Sequence, residues 1–224
     1  MRLNKWLVLA GAATGRRQAD DLIRNRRIEV NGAPAGLGTQ IETPDQVTID
    51  GKPLSIQPAK THIILLHKPV GVISSHRQQG KARIVFDYLP KEYHTDIIIG
   101  RLDKESEGLV LLTNNGQLAH ELMHPSHAVE RRYLVRTKRE ISPEDQKQLL
   151  NGIELDDGLS KFKSCELAGP QALDIRLEEG RNRQIRRTLA ALRHQVTELI
   201  RVSHGAYDLT GLKAGEWRLE ELRA

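Results

Sequence analysis

Residues 95–116, TDIIIGRLDKESEGLVLLTNNG, set two apolar runs, Ile97 to Ile99 and Leu109 to Leu112, on either side of a polar segment bounded by Gly100 and Gly108. Runs rich in β-branched and leucine residues and punctuated by glycine suit strands of a buried sheet, and Asn114-Asn115-Gly116 ends the second. The polar segment is then a loop between rigid neighbours, and it carries Arg101 and Asp103. A carboxylate so placed suits a nucleophile or a general base; a loop salt bridge is the plainer alternative that these residues leave open.

The same grammar extends in both directions. Upstream, HIILLHKPVGVISS (62–75) is another apolar run followed by glycine. Downstream, QLAHELMH (117–124) reads as a short helix stopped by Pro125, and ERRYLVRTK (130–138) as a strand. SPEDQKQLLNG (142–152) reads as a helix capped by Ser142, with Pro143 at its first position and Gly152 at its end. ALDIRLEEG (172–180) predicts a strand, RNRQIRRTLAALRH (181–194) a helix and VTELIRVSHGAYDL (196–209) a further strand. Helices and strands mix without regular βαβ alternation, so the fold class is α+β.

Residues 1–56 form a separate unit. Leu3, Trp6, Leu7 and Ala10 fall at helical spacing, and ATGRRQADDLIRN (13–25) predicts a second helix with Ala19, Leu22 and Ile23 on its apolar face and Thr14 as N-cap. RRIEVNGAPAG (26–36) and QVTIDGKPL (46–54) each place alternating apolar residues before an Asn-Gly or Asp-Gly turn, the mark of short hairpins. Residues 57–61, around Pro58, are the expected linker, and 62–224 the larger domain.

The chain of 224 residues carries a formal charge of +5, compatible with a polyanionic partner. Where the charge lies says more. Arg2, Lys5, Arg16, Arg17, Arg24, Arg26 and Arg27 stand against three acids in the first 30 residues, a basic face suited to phosphate contact or, more plainly, to solubility. Residues 176–203 hold seven arginines, three glutamates and no lysine, and Arg181, Arg183 and Arg187 are candidates for bidentate phosphate pairing. Tyr133, amid arginines in a chain only 4% aromatic, is a candidate stacking platform for a base or an ordinary strand tyrosine. The single cysteine, Cys165, excludes an internal disulfide and fits a reducing compartment, so the expected location is cytoplasmic. No apolar run nears the length of a membrane span, and no membrane association is expected.

One motif points elsewhere. His120-Glu121-Leu122-Met123-His124 fits the H-E-x-x-H spelling of zinc peptidases. Pro125 cuts the helix at the second histidine and the metzincin extension is absent, so no metal site is expected. Leu118, Leu122 and Met123 then form a core stripe, with the histidines on a polar face.

GRLDKESEGLVLLTNNG, the tyrosine of RRYLV and EEGRNRQIRR, in this order, resemble the successive motifs of bacterial ribosomal-RNA pseudouridine synthases of the RsuA/RluB/RluE/RluF family. HKPVGVISS resembles the stretch that opens their catalytic domain. Residues 1–56 resemble the alpha-L RNA-binding module of the ribosomal-protein S-four type. The resemblance implies a mixed, mainly antiparallel sheet and an isomerase that detaches uracil from its ribose and rejoins it through carbon five. It implies Asp103 as nucleophile, Tyr133 stacking on the flipped base and assisting proton removal, and Arg186 pairing with Asp103 to hold it charged and oriented. Arg101 would fill the space the base vacates or bind its phosphate. The reaction transfers nothing to a second substrate, so no cofactor is implied. The expected partner is ribosomal RNA or a ribosomal subunit precursor, met by a monomer. The arginine-rich third motif is closer to the branch acting on large-subunit RNA. The rival reading is a non-catalytic RNA-binding assembly factor, which would have no reason to keep Asp103, Tyr133 and Arg186 together.

Overall fold

The computed structural model describes residues 1–13, 15–55, 60–78 and 80–222, and the chain divides into two compact units, Met1–Lys60 and Thr61–Ala224. Thr14 and most of the expected linker, 57–59, lie outside the described residues.

The first unit packs two helices, α1 (Leu3–Leu9) and α2 (Arg16–Arg24), against a small sheet. Its strands are β1 (Ile28–Val30), β2 (Ala33–Pro34), β3 (Val47–Ile49) and β4 (Lys52–Leu54), in the spatial order β2-β1-β3-β4 and all antiparallel. Asn31 and Asp50, at φ 54 and 49, make the two tight turns with the glycines that follow them. Leu3, Leu7, Ala19, Ile23, Ile28 and Val47 share one core, so both helices, β1 and β3 contribute the apolar faces that their periodicity predicts.

The second unit is built on a sheet of nine strands. In chain order its elements are β5 (His62–Lys68), β6 (Ile97–Ile99), β7 (Glu107–Thr113), α3 (Gly116–Met123), β8 (Arg131–Thr137), α4 (Pro143–Asn151), β9 (Ile153–Leu155), β10 (Gly158–Ser160), β11 (Ser164–Gly169), β12 (Ala172–Leu177), α5 (Gln184–Ala191), β13 (Val196–His204), β14 (Tyr207–Asp208) and β15 (Trp217–Glu221). The sheet runs β11-β12-β8-β13-β7-β5-β15, with β6 beside β7 and β14 beside β13; β9 and β10 form a separate hairpin. Among the described strand pairings of this sheet only β13–β7 is parallel, so the sheet is mixed and mainly antiparallel.

Burial explains the sequence texture. In β5, Ile64 and Leu66 enter the main core while Ile63 and Leu65 enter a second core under α3, and β7 divides its residues in the same way. A strand covered on both faces reads as a continuous apolar run. β8 is covered on one face only, and Tyr133, Val135 and Thr137 alternate with the more open Arg132, Leu134 and Arg136.

Several expectations change. The last helix is shorter than the pattern suggests, because Arg183 adopts a left-handed conformation (φ 48) and α5 starts only at Gln184. Met123 is 38% exposed, so the stripe on α3 consists of Leu118 and Leu122. The hairpin β9–β10 and strand β11 were not expected. No described helix is long and apolar enough to cross a membrane.

Candidate active site

β7 has two partners along one edge: β13 meets it at Glu107 and Gly108, and β6 at Leu111 to Thr113. The loop Gly100–Ser106 returns the chain from the end of β6 to the start of β7, at the point where that edge changes hands. Arg201 of β13 closes the gap. Its Nε donates to Leu109 O at 2.7 Å and its Nη2 to Gly100 O at 3.0 Å, so one guanidinium holds both ends of the loop. Arg201 is 2% exposed and makes no ion pair among the described residues, and its charge is met by carbonyl dipoles. Two glycines make room for it. A Cβ on Gly100 (φ +67) would stand 3.1 Å from the His204 ring, and one on Gly108 (φ +118) would stand 2.3 Å from Arg201 O.

The loop is braced on its other side by the HKPVG stretch. Gly71 N donates to Lys104 O at 2.7 Å, and Ser74 Oγ both donates to Leu102 O and accepts from Leu102 N. Lys68, fully buried, donates to Pro69 O and Val72 O at 2.9 Å, which shapes the brace itself. Burial lowers its pKa to about 8, against the raising effect of Glu107 and Asp103.

Asp103 projects from this clamped loop with its side chain 33% exposed. The nearest cation is Arg183, whose Nη1 lies 3.7 Å from Asp103 Oδ2 and donates to Glu105 Oε2 at 2.9 Å. That hydrogen bond holds the Glu105 carboxyl below its ordinary range. The expected direct pair of Asp103 with Arg186 is not formed. Arg186 Nη2 instead donates to Glu105 O at 3.0 Å and Ser106 Oγ at 3.2 Å, and its buried Nε has no partner. The physical reason is the late start of α5, which leaves Arg183 outside the helix and free to reach the carboxylate first. Arg186 thus lies against the backbone of the loop with its buried Nε unpaired.

Tyr133 lies on the core face of β8, opposite Arg201 of β13, in the same apolar cluster as Leu102. It is 8% exposed, a wall of the site more than a projecting platform, and its hydroxyl has no hydrogen-bond partner among the described residues. The arginines around it are occupied. Arg132 Nε donates to Asp174 Oδ1 at 2.9 Å, Arg136 pairs with Glu198 and Arg131 is buried. Next to Arg131 and Arg201 sits fully buried His204, whose Nε2 donates to Leu122 O and whose pKa burial lowers to about 3, the two guanidiniums acting in the same direction. A neutral imidazole lets the two cations share that space.

The basic residues read as RNA contacts divide. Arg2, Lys5, Arg16, Arg17, Arg26 and Arg101 are exposed and have no side-chain partner among the described residues. Arg27 is paired with Asp50, and Arg181 and Arg187 both bind Asp157 at the tip of the β9–β10 hairpin. Sequence reasoning passed over Asp157, Glu105 and Arg201. The Asp-Gly at 157–158 between short apolar segments is a hairpin signal, and an arginine inside the apolar run LIRV is a sign of a buried charge with a task. At HELMH, His120 and His124 stack at 4.7 Å and His127 meets both edge-on at 6.0 Å, all on the surface. Among the described residues no group of three His, Cys, Asp or Glu side chains is placed to hold a metal ion.

Comparison with known proteins agrees with this architecture. Residues 62–191 match the RNA pseudouridylate synthase family, and residues 1–47 match the S4 domain. The ribosomal large subunit pseudouridine synthase B of Vibrio vulnificus (strain CMCP6) is 37% identical over 99% of this chain and 72% of its own length. That of Buchnera aphidicola subsp. Acyrthosiphon pisum (strain APS) is 39% identical over 90% of this chain and 86% of its own. A crystal structure of a pseudouridylate synthase superposes with a TM-score of 0.69 at 25% identity, covering 98% of this chain and 96% of that one. With the family matched from β5 through the Asp103 loop to α5, and with relatives of this identity over nearly the full chain, the protein belongs to the RNA pseudouridylate synthases and is an rRNA-modifying isomerase with an N-terminal S4 domain.

Proposed function

We propose that the protein converts a uridine of large-subunit ribosomal RNA to pseudouridine, with Asp103 as the nucleophile. The relatives named above support the substrate, since both carry large-subunit pseudouridine synthase names. The observation that carries the assignment of chemistry is the Asp103 loop, anchored at both ends by Arg201 and approached by Arg183 and Arg186. Fixing a reactive group on a rigid support prepays much of the entropy of bringing it to the reacting bond.

In the reaction the bond from ribose C1′ to N1 breaks, the base turns, and C1′ joins C5. The proton on C5 leaves and N1 gains one, so atoms and electrons balance without a second substrate. Tyr133 walls the base, and Arg183 keeps a positive charge beside the Asp103 carboxylate. Arg186, with its free Nε, is placed to donate to Asp103 or to the substrate once RNA is bound. Reaching the glycosidic bond requires the nucleotide to leave its stack, at a cost of a few kcal/mol that is least in loops and bulges. Exposed Arg101 beside Asp103 is suited to compensate for the vacated space or to meet a phosphate. Arg2, Lys5, Arg16, Arg17 and Arg26 supply phosphate contacts that place the enzyme without reading sequence. The protein acts as a monomer in the cytoplasm.

The test is a pseudouridine map of ribosomal RNA incubated with wild type and with Asp103→Asn. A new site seen only with wild type is the expected result. Equal binding by both proteins with no modification by either would replace this reading with that of an assembly factor.

A further inference from the structure

Arg183 and Arg186 reach the Asp103 loop from the start of α5, a helix whose N-cap position is occupied by Arg183 at φ 48 with no side-chain cap. A non-glycine residue in the left-handed region is held there only when its surroundings over-determine it. The support comes from the β9–β10 hairpin. Arg181 Nη1 donates to Asp157 O at 3.0 Å, Asp157 Oδ1 at 3.1 Å and Gly158 O at 2.9 Å, and its Nη2 donates to Leu159 O at 2.9 Å. Arg187 grips the same carboxylate with two donors, Nη1 to Oδ1 at 3.0 Å and Nη2 to Oδ2 at 2.7 Å. Beneath them Gln184 accepts from Arg181 N and donates to Ser160 Oγ, which in turn meets Thr188 Oγ1 at 2.8 Å. Positions 181 and 187, both bound to Asp157, bracket positions 183 and 186.

We infer that Asp157 is a positioning residue. It seats the first turn of α5 on the hairpin so that Arg183 and Arg186 stand at the Asp103 loop, and Arg181 and Arg187 are its partners instead of phosphate contacts. A bidentate guanidinium–carboxylate pair fixes direction as well as distance. One carboxylate shared by two arginines therefore fixes the segment between them. The inference rests on the reading that Asp103 and Arg186 belong to the reaction centre.

Asp157→Asn keeps the size of the side chain and removes its charge. With a transcript of large-subunit rRNA as probe, the single-turnover rate at saturating RNA is expected to fall about tenfold, as small displacements of reacting groups do. RNA affinity stays within about twofold and thermal stability near wild type, since the pair is partly exposed. Arg187→Gln gives a similar loss, and the double variant loses no more than either single one, because both act through one contact. A wild-type rate at saturation together with severalfold tighter binding would overturn the inference, as Asp157 would then only compete with phosphates for two arginines. Losses that multiply in the double variant would overturn it as well. If wild type itself leaves the RNA unmodified, the proposed function fails and not this inference alone.

Discussion

The exposed basic face of the first unit and the arginines around the Asp103 loop use the same residue type in opposite ways. In the first, Arg16, Arg17 and Arg26 are exposed with no side-chain partner among the described residues, beside Arg2 and Lys5 in the same condition, while Arg24 and Arg27 pair with Asp21 and Asp50. In the second, Arg181 and Arg187 end on Asp157, Arg183 on Glu105, Arg186 on the backbone of the Asp103 loop, and Arg201 on two carbonyls. An unpaired surface arginine is available to any phosphate and releases counterions when it binds. A tied arginine has lost that freedom and has gained a fixed direction. On the proposed function, the unpaired charge of the first unit serves attachment and the tied charge around the Asp103 loop serves geometry.

The sharpest way to break this contrast is at Arg186. Arg186→Gln is expected to lower the single-turnover rate at saturating RNA by about a hundredfold, the scale of removing one placed donor, with RNA affinity little changed. A loss that appears in affinity instead would put Arg186 with the attachment charges. The next test concerns how the second unit tolerates so many buried cations. The His204 pKa lies at about 3 in the folded protein against 6.5 for an ordinary histidine, so between those values the unfolded chain binds a proton that the folded one refuses. Its contribution is present above about pH 6.5 and is lost as pH falls, by about 1.4 kcal/mol per unit across the window. His204→Gln should flatten that part of the stability profile in denaturant titrations at pH 4 to 7; an unchanged slope would mean that the imidazole accepts a proton beside Arg131 and Arg201. The smallest effect is expected in the first unit. Replacing both Arg16 and Arg17 by glutamine should weaken RNA binding severalfold and reduce the slope of log affinity against log salt by roughly 1.5, leaving the rate at saturation unchanged. A fall in that rate would erase the division of labour.

Local rules made some parts of this molecule legible in the sequence. Ser142 and Asp145 form the capping box that their spacing announces, and the Asn31-Gly32 and Asp50-Gly51 turns follow from residues that tolerate positive φ. The apolar runs of β5 and β7 disclosed burial on both faces. Asp103 stood out because a glycine-bounded carboxylate between such runs is unusual. What sequence did not reveal depends on partners far along the chain. Arg183 carries no local signal for a left-handed turn, and its conformation decides that it, and not Arg186, stands nearest Asp103. The tie of Arg181 and Arg187 to Asp157 was not legible because Asp157, 24 and 30 residues before them, has no visible link to them in one dimension. Met123 has the right spacing for the core and lies at the end of α3, beyond the apolar cover.

The clamp of Arg201 on the Asp103 loop also dictates when the enzyme can come into being. Leu109 and Arg201 are 92 residues apart, and β5, the first strand of its unit, pairs with β15, the last. Contacts of such separation form late, after most of the entropy of closing the intervening chain has been spent. During synthesis Asp103 emerges well before the strand that clamps its loop. A nascent chain stopped short of β13 therefore holds the Asp103 carboxylate without the Arg201 clamp on its loop.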